Sequence, residues 1–245
     1  MAKFSVIVVA AGKGQRFGGK ESKIFAKLDG QVLFLRALQL FVGRDDVCET
    51  ILVVSPSEID QIREKFGPNI GFMGAKIVAG GAERFESVAN GLAEVSDQAE
   101  YVAVHDAVRV CVSELWIDTI FEAAAKNGTA VPAIPVNATL KRVGEDGTIS
   151  ETVPRDGLYI AQTPQVFRKD ILQSAFEWYR ANTVGPVTDD AQLVAAAGHT
   201  VSMVAGDPRN VKITTKPDLS MAAALLKILP KKKVDRLGVF EDAQW

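Results

Sequence analysis

Residues 4–23 are Phe4-Ser5-Val6-Ile7-Val8-Val9-Ala10-Ala11-Gly12-Lys13-Gly14-Gln15-Arg16-Phe17-Gly18-Gly19-Lys20-Glu21-Ser22-Lys23, and this stretch decides the fold. Its first part, Phe4–Ala10, is an apolar and largely β-branched run, which is typical of a buried strand. Glycines and basic residues follow directly, and a glycine-rich turn lets backbone N–H groups approach an anion closely. We therefore expect a phosphate-binding loop at the carboxyl end of a buried first strand.

Short apolar runs alternate with longer amphipathic stretches along the chain. The runs that predict strands are Phe4–Ala10, Thr50–Ser55, Lys76–Ala79, Tyr101–His105, Thr129–Pro135, Thr200–Ala205 and Val211–Thr214. The stretches with helical spacing are Leu33–Val42, Pro56–Phe66, Glu83–Val95, Glu114–Lys126, Lys169–Ala181, Asp189–Ala197 and Pro217–Leu229. This alternation predicts a Rossmann-like, three-layer α/β fold with a mostly parallel sheet. Ligands of such sheets bind at the carboxyl ends of the strands.

A predicted arm interrupts this alternation. Ala138–Val143 and Thr148–Val153 are short alternating runs separated by a turn that contains Asp146-Gly147, and this pattern signals a β-hairpin. The faces of both runs are too polar for a core. We therefore expect a hairpin arm over residues 138–153 that projects from a single domain of residues 1–229. Residues 230–245 are expected to form a tail, to which we assign no function.

Composition and charge exclude several classes of function. The 245 residues are 47% hydrophobic and 24% charged with a net charge of −2, which gives no overall electrostatic reason to bind nucleic acid or an anionic membrane. No apolar run approaches the ~18 residues of a membrane span. Cys48 and Cys111 stand far apart without the His/Cys pairs of a zinc site. We expect a cytoplasmic protein with two reduced thiols and neither a nucleic-acid nor a membrane partner.

The glycine loop is compatible with three kinds of nucleotide site. A dinucleotide fingerprint requires glycine where Phe17 stands, and it requires an acid where the second strand ends in Ser55. A P-loop fits from Gly14 to Lys20, but Glu21 replaces the hydroxyl that binds magnesium and would repel the β-phosphate. The third kind is the loop of sugar-nucleotide pyrophosphorylases and related nucleotidyltransferases. From the residues alone, a purely structural glycine turn also stays open.

An ordered series of motifs resembles the 2-C-methyl-D-erythritol 4-phosphate cytidylyltransferase family, whose loop is of the third kind. After the loop, the motifs are Gly80-Gly81-Ala82-Glu83-Arg84-Phe85-Glu86-Ser87-Val88, Val104-His105-Asp106-Ala107-Val108-Arg109, Thr139-Leu140-Lys141, Val153-Pro154-Arg155, Gln162-Thr163-Pro164-Gln165-Val166-Phe167, Thr188-Asp189-Asp190-Ala191 and Asn210-Val211-Lys212-Ile213-Thr214. The series extends over residues 4 to about 219, so it is far more specific than any one motif. The resemblance implies a fold of the nucleotide-diphospho-sugar transferase type. It also implies a reaction of CTP with 2-C-methyl-D-erythritol 4-phosphate that yields 4-diphosphocytidyl-2-C-methyl-D-erythritol and pyrophosphate, a step of the non-mevalonate isoprenoid route.

The resemblance also implies which residues act. Arg16 and Lys23 would stabilise charge at the reacting phosphorus, and Arg155 and Lys212 would position the methylerythritol phosphate. The residues implied for CTP are Ala10, Ala11, Gly12, Gly14, Arg16, Lys23, Gly80, Gly81, Ser87, Asp106 and Ala107. Those implied for the polyol phosphate are Asp106, Arg109, Arg155, Thr163, Thr188 and Lys212.

Further expectations concern the helix start, the metal and the assembly. Gly80-Gly81 opens the helix that carries Ser87, so free amides and a hydroxyl are expected to face the cytosine and ribose. The triphosphate implies Mg²⁺, which keeps several waters, with Asp106 as a candidate ligand. In the family the arm clasps a second subunit, which implies a homodimer in which Arg155 serves the partner's active site.

The chain departs from the family pattern at two places, and alternatives remain. It has Ser22-Lys23-Ile24 where the family usually has Pro-Lys-Gln, and Val110 where the family usually has proline. A phosphomonoester with a second pKa near ~6 needs no general base, so His105 is expected to be structural. The alternatives are a ribitol-5-phosphate cytidylyltransferase, which shares the glycine loop, a P-loop-like kinase and a non-catalytic nucleotide-binding protein. Pro154–Leu158 and Thr188–Ala191 favour methylerythritol phosphate.

Overall fold

The computed structural model describes residues 2–12, 17–18, 22–182 and 185–232. Its strands are β1 (Phe4–Val9), β2 (Lys27–Leu28), β3 (Gln31–Val32), β4 (Val47–Val54), β5 (Lys76–Ala79), β6 (Tyr101–Asp106), β7 (Thr129–Pro135), β8 (Leu140–Val143), β9 (Ile149–Val153), β10 (Tyr159–Ala161), β11 (Gln165–Arg168) and β12 (Met203–Ala205). Its α-helices are α1 (Leu33–Gln39), α2 (Ile59–Phe72), α3 (Arg84–Ala93), α4 (Glu114–Asn127), α5 (Lys169–Ala181), α6 (Asp190–Ala196) and α7 (Lys216–Leu226).

The central sheet has the strand order β10-β7-β11-β6-β1-β4-β5, and β12 pairs with β7. Four pairings are parallel: β1 with β4, β1 with β6, β4 with β5, and β12 with β7. β10 and β11 run antiparallel to their neighbours. The sheet is mostly parallel, and the predicted α/β fold is confirmed.

The position of a ligand site follows from the strand order. The chain leaves β1 towards β4 and β5 and then returns to β6 on the other side of β1. In open α/β sheets such a reversal leaves a crevice at the carboxyl ends of the two central strands. Here those ends are Val9 and Asp106, which are paired in register. The glycine loop starts at this point.

Helices cover both faces of the sheet, and alternate side chains of β1 point to opposite faces. Val6 and Val8 pack into one core with Phe34 of α1. Ile7 packs into a second core with Val88 of α3, and all five of these side chains are fully buried. The three predicted layers are therefore present. A strand with apolar residues on both faces suits this central position.

The second helix is longer than predicted. α2 begins at Ile59, after a single 3₁₀ turn at Pro56–Glu58, and continues through Pro68 to Phe72 instead of ending at Phe66. Ile70 in the added turn is 2% exposed. Burial of this apolar side chain offsets the backbone hydrogen bond that a proline in a helix cannot donate.

The later strands also differ from the prediction. Residues 211–214 form no strand, although Ile213 N donates to Val108 O at 3.0 Å. β10 and β11 were not predicted, because they have only three and four residues and Pro164 stands between them. Both pair with β7, and β11 also fills the space between β7 and β6.

The predicted hairpin arm is confirmed as β8 and β9, which pair with each other apart from the central sheet. Gly147 adopts a φ of +79° in the turn, and Asp146 Oδ1 accepts a hydrogen bond from Thr148 N at 3.0 Å. Apolar side chains on and beside the arm are exposed, namely Val143 (54%), Ile149 (63%), Tyr159 (49%) and Ile160 (51%). Apolar surface on this side of the chain is therefore uncovered.

The predicted tail is described only as far as Lys232, whose Nζ donates to Asp118 Oδ2 at 3.0 Å. Residues 233–245 of the predicted tail lie outside the described residues. Among the helices that the structure describes, none is both long enough and apolar enough to cross a membrane.

Asp218 secures the start of α7 and the segment that precedes it. Its Oδ2 accepts hydrogen bonds from the backbone N–H groups of Thr214 and Thr215, each at 2.8 Å. These bonds, with that of Thr214 the strongest, lower the pKa of Asp218 to about 2.

We predict that Asp218→Asn lowers the free energy of unfolding by about 1 kcal/mol at pH 7. Because the folded-state pKa lies below the ordinary value of ~3.9, the wild-type advantage is complete above about pH 4 and declines as the pH falls towards 2. Urea unfolding of both proteins at pH 7 and pH 3 measures this difference, with Asp156→Asn in an exposed turn as the control. A difference of equal size at both pH values would contradict the assignment.

Candidate active site

A cavity of about 500 Å³ opens at the carboxyl ends of β1 and β6. The residues that line it are Val9, Ala10, Ala11, Gly12, Lys23, Ile24, Gly81, Ala82, Glu83, Arg84, Ser87, Asp106, Val108, Lys212 and Thr214. The sequence predicts eight of them as site residues: Ala10, Ala11, Gly12, Lys23, Gly81, Ser87, Asp106 and Lys212. The start of the glycine loop, the start of α3 and the 211–214 segment therefore meet in one place.

Asp106 is a buried carboxylate of this cavity, with 7% of the residue exposed. Its Oδ2 lies 2.8 Å from Lys212 Nζ and 3.5 Å from Arg109 Nε, and its Oδ1 lies 3.4 Å from Arg84 Nε. Burial opposes ionisation, but the charges of Lys212, Arg84 and Arg109 outweigh it and hold the pKa of Asp106 well below its usual range. Asp106 is therefore ionised at neutral pH.

Arg84 is a cavity residue that the sequence prediction missed. Its Nη1 lies 2.9 Å from Asp190 Oδ2, and Asp190 is 1% exposed. Burial opposes the charge of Arg84, but Asp190 and Asp106 outweigh it and raise the pKa of the guanidinium. One signal was available: Arg84 is the first residue of α3, where a cation is unfavourable to the helix dipole unless it has acidic partners elsewhere.

The backbone amides of Gly81, Ala82 and Glu83, just before α3, are not free, which corrects the prediction from Gly80-Gly81. Gly81 N donates to Ser87 Oγ at 3.1 Å, while Ala82 N and Glu83 N donate to Glu86 Oε2 at 2.7 and 3.1 Å. Ser87 Oγ in turn donates to Glu83 O at 3.1 Å. The loop satisfies its own donors because Glu83 and Glu86 form a capping box.

Arg109 and Thr163 hold the end of β6 from outside the cavity lining. Arg109 Nη1 donates to Asn210 O at 2.8 Å, and Thr163 Oγ1 accepts from Asp106 N at 3.1 Å. Thr163 Oγ1 also hydrogen-bonds to Nδ1 of His105, whose Nε2 contacts Arg109 O at 2.8 Å. Burial lowers the pKa of His105 to about 4, so the ring is neutral at pH 7. His105 has the structural role that the sequence predicts.

Thr188 and Arg155 are not among the described residues that line the cavity. Thr188 is exposed, and its N and Oγ1 donate to Gln192 Oε1 at 2.8 and 2.9 Å. Arg155 is also exposed, and its Nη1 donates to Asn137 O. Within this chain, neither side chain is brought to the cavity.

Two other residues predicted to bind the nucleotide, Gly80 and Ala107, do not line the cavity but lie next to it, and two more are not described. Gly80 N donates to Val54 O at 2.7 Å, and Ala107 N donates to Val9 O at 3.0 Å, so both residues fix strand ends. Gly14 and Arg16 of the glycine loop lie outside the described residues.

The described residues offer no ready-made metal site. They contain no group of three or more His, Cys, Asp or Glu side chains that could hold a metal ion. Both oxygens of Asp106 face cationic nitrogens, of Arg84 on one side and of Lys212 and Arg109 on the other. This arrangement does not suit a direct metal ligand, contrary to the expectation for Asp106.

Comparison with known proteins identifies a family for this chain. A family model described as IspD, 2-C-methyl-D-erythritol 4-phosphate cytidylyltransferase, matches residues 4–228. A protein of that name from Rhodopirellula baltica is 41% identical over 236 residues, which cover 92% of this chain and 95% of the relative. Another from Alkaliphilus metalliredigens is 41% identical over 230 residues, with 92% and 93% covered. The crystal structure of the protein of that name from Thermus thermophilus matches with a TM-score of 0.74 and 33% identity, covering 93% of this chain and all of that one.

Gly80 permits the close approach of the glycine loop to α3. A β-carbon at this position would lie 2.6 Å from Ala11 Cβ and 2.8 Å from Ser87 Oγ. Both neighbours line the cavity. A methyl group at Gly80 therefore has to push apart two walls of the site.

We predict that Gly80→Ala lowers the free energy of unfolding by about 1–3 kcal/mol through overpacking. The matched control is Gly71→Ala within α2, where a β-carbon meets nothing within 4 Å and no proline follows. It should raise stability by about 0.5–1 kcal/mol, because alanine loses less backbone entropy than glycine. Urea denaturation of both variants is the measurement, and equal effects of the two substitutions would refute the steric argument.

Proposed function

The chain belongs to the 2-C-methyl-D-erythritol 4-phosphate cytidylyltransferase family, and from this membership and the geometry of the cavity we propose that it joins CMP from CTP to 2-C-methyl-D-erythritol 4-phosphate. A phosphate oxygen of the polyol phosphate attacks the α-phosphorus of CTP. The bond from the α-phosphorus to the oxygen bridging to the β-phosphorus breaks, and pyrophosphate leaves. The observation that carries the proposal is the convergence of Lys23, Lys212 and Asp106 on one cavity at the switch point of the sheet.

Fixed positive charge is the main catalytic contribution that we propose. The transition state carries negative charge around the reacting phosphorus and on the leaving pyrophosphate, and preorganised cations stabilise it. Lys23 lines the cavity next to the start of the glycine loop, and Lys212 lines it from the segment before α7. We assign Lys23, together with Arg16, to the triphosphate, and Lys212 to the phosphate of the polyol.

The proposed reaction needs no general base from the protein. The attacking phosphate has a second pKa near ~6 and is mostly ionised at pH 7. The environment of His105 agrees with this, because its ring is buried, neutral and bonded to Thr163 and Arg109. Catalysis then consists of placing the two substrates and holding charge near them.

The nucleotide half of the proposed site lies along the glycine loop and α3. Ala10, Ala11 and Gly12 would approach the triphosphate and ribose, and Gly81 and Ser87 line the part beside α3 that we assign to the cytosine. The carboxylate of Asp106 would accept hydrogen bonds from hydroxyl groups of ribose or polyol. Ala107 and Gly80 would act from behind, by fixing the strand ends at which these contacts are made.

The polyol half is proposed around Asp106 and Lys212, with Arg109 and Thr163 behind Asp106. Thr188 is proposed as a hydroxyl contact if the turn before α6 moves towards the cavity when substrate binds. Substrate closure of this kind is common in transferases.

We propose that a divalent cation, Mg²⁺ in the cell, accompanies the triphosphate. Magnesium usually keeps several waters and binds chiefly to substrate phosphates at such sites, so a dedicated set of protein ligands is not required. When bound, it would neutralise phosphate charge. The place of action that we propose is the cytoplasm.

The direct test is pyrophosphate release by the purified protein with CTP or UTP and with methylerythritol phosphate or ribitol phosphate. We predict turnover with CTP and methylerythritol phosphate. We also predict a kcat/KM at least ~100-fold lower for UTP, because a site that pairs with the exocyclic amine leaves its polar groups unmatched without it. Preference for ribitol phosphate would change the substrate assignment. Binding of CTP without any turnover would indicate a nucleotide-binding protein.

We propose further that the active form is a homodimer in which the arm of residues 138–153 clasps the other subunit. A two-stranded hairpin is marginal alone in water, and the exposed apolar side chains Val143, Ile149, Tyr159 and Ile160 would be covered by such an arrangement. Arg155 follows β9 and is absent from the cavity lining of its own chain. These observations support its service to the partner's active site.

Subunit exchange tests this arrangement. We predict that Lys23→Ala and Arg155→Ala each lower kcat by at least ~100-fold. When the two variants are mixed and allowed to exchange, half of the dimers are hetero and each of these has one site with both residues intact, so roughly one quarter of the wild-type activity should return. Mass spectrometry confirms the exchange, and each variant assayed alone gives the background activity. If exchange occurs and no activity returns, Arg155 acts within its own chain.

A further inference from the structure

Arg84 connects two buried carboxylates that belong to different elements. Asp106 ends β6, Asp190 begins α6, and Arg84 begins α3. Arg84 Nε lies 3.4 Å from Asp106 Oδ1, and Arg84 Nη1 lies 2.9 Å from Asp190 Oδ2. The side chain of Asp190 is 1% exposed and that of Asp106 is 9% exposed. One guanidinium therefore joins the sheet edge, α3 and α6 beside the cavity.

The start of α6 is itself held in a fixed position. Asp189 Oδ1 accepts from Gln192 N at 2.8 Å and caps the helix, and Gln165 Nε2 donates to Asp189 Oδ2 at 2.9 Å. Gln165 Oε1 accepts from Ala191 N at 3.0 Å. β11 thus supports the start of α6 through the side chain of Gln165. The contact of Arg84 with Asp190 fixes the position of this helix start relative to Asp106.

We infer that Arg84 is a positioning residue for the polyol phosphate: by pairing with Asp106 and Asp190 at once, it fixes the carboxylate of Asp106 and the turn that carries Thr188 relative to each other. This inference rests on the proposed function, in which Asp106 and Thr188 serve the polyol phosphate. The planar guanidinium has five N–H donors and can bond to two carboxylates on different sides, whereas the single ammonium of lysine is a point charge. The bridge therefore depends on the shape of the side chain as well as on its charge.

Arg44 provides a matched control for a purely structural arginine. Its Nη2 lies 2.7 Å from both Asp46 Oδ2 and Asp118 Oδ1, and its side chain is 16% exposed, against 24% for Arg84. It is not among the described residues that line the cavity. Asp46 O accepts from Phe4 N, so this bridge lies at the amino end of β1, opposite the proposed site.

The experiment compares Arg84→Lys, Asp190→Asn, the double variant and Arg44→Lys for unfolding free energy, for kcat, and for KM with each substrate. Arg84→Lys and Asp190→Asn should each raise KM for the polyol phosphate at least ~10-fold and raise KM for CTP by clearly less, because Thr188 is assigned to the polyol phosphate alone. The double variant should be no worse than the poorer single variant, because both changes break one bridge. Arg44→Lys should lose stability and keep both KM values.

Several outcomes would overturn the inference. Arg84→Lys with wild-type constants would show that no bridge is needed, and an equal rise in KM for CTP would make Arg84 a nucleotide contact. Multiplicative losses in the double variant would show two independent roles. The same KM pattern in Arg44→Lys would reduce the effect to general destabilisation. Failure of the proposed function can be distinguished from failure of the inference alone, because the wild-type protein itself then forms no product. In that case the inference is also refuted.

Discussion

The ionised carboxylate of Asp106 is the constraint on which the geometry of the site depends. An unpaired buried charge costs several kcal/mol, so the fold has to bring cations to it. The three that it brings, Arg84, Arg109 and Lys212, come from the start of α3, the turn after β6 and the segment before α7. Meeting this one requirement draws three separate parts of the chain to the end of β6. These parts enclose the cavity together with Ala10, Ala11 and Gly12 at the start of the glycine loop.

The layers of the fold were predictable from the sequence because they depend on local periodicity. β1 is apolar on both faces, and such a strand is stable only in the middle of a sheet that helices cover on both sides. The elements that escaped prediction depend on distant partners. Residues 211–214 look like a strand, but the backbone bond of Ile213 N to Val108 O is not continued into a ladder, and the three-residue β10 exists because β7 offers it an edge. No local pattern encodes either of those partners.

The site also has residues that could be predicted from local sequence and contacts that could not. Lys23, Ser87, Asp106 and Lys212 could be predicted because they stand in motifs that resemble a known family. Asp190 also stands in one of these motifs, yet its pairing with Arg84 was not predictable, since two residues so far apart in the chain meet only when the fold brings the starts of α3 and α6 together.

The prediction of free amides before α3 was wrong for a different reason. Glycines followed by a helix usually suggest an anion site, because the first amides of a helix lack partners. Here Glu86 and Ser87 accept from residues 81–83, so those donors are already used. The cavity wall at the start of α3 carries charges of both signs, because Glu83 and Arg84 both line it. These used donors are therefore not available to the charge of a triphosphate. This agrees with the proposal that Lys23 serves the triphosphate and that the part of the cavity beside α3 serves the uncharged base.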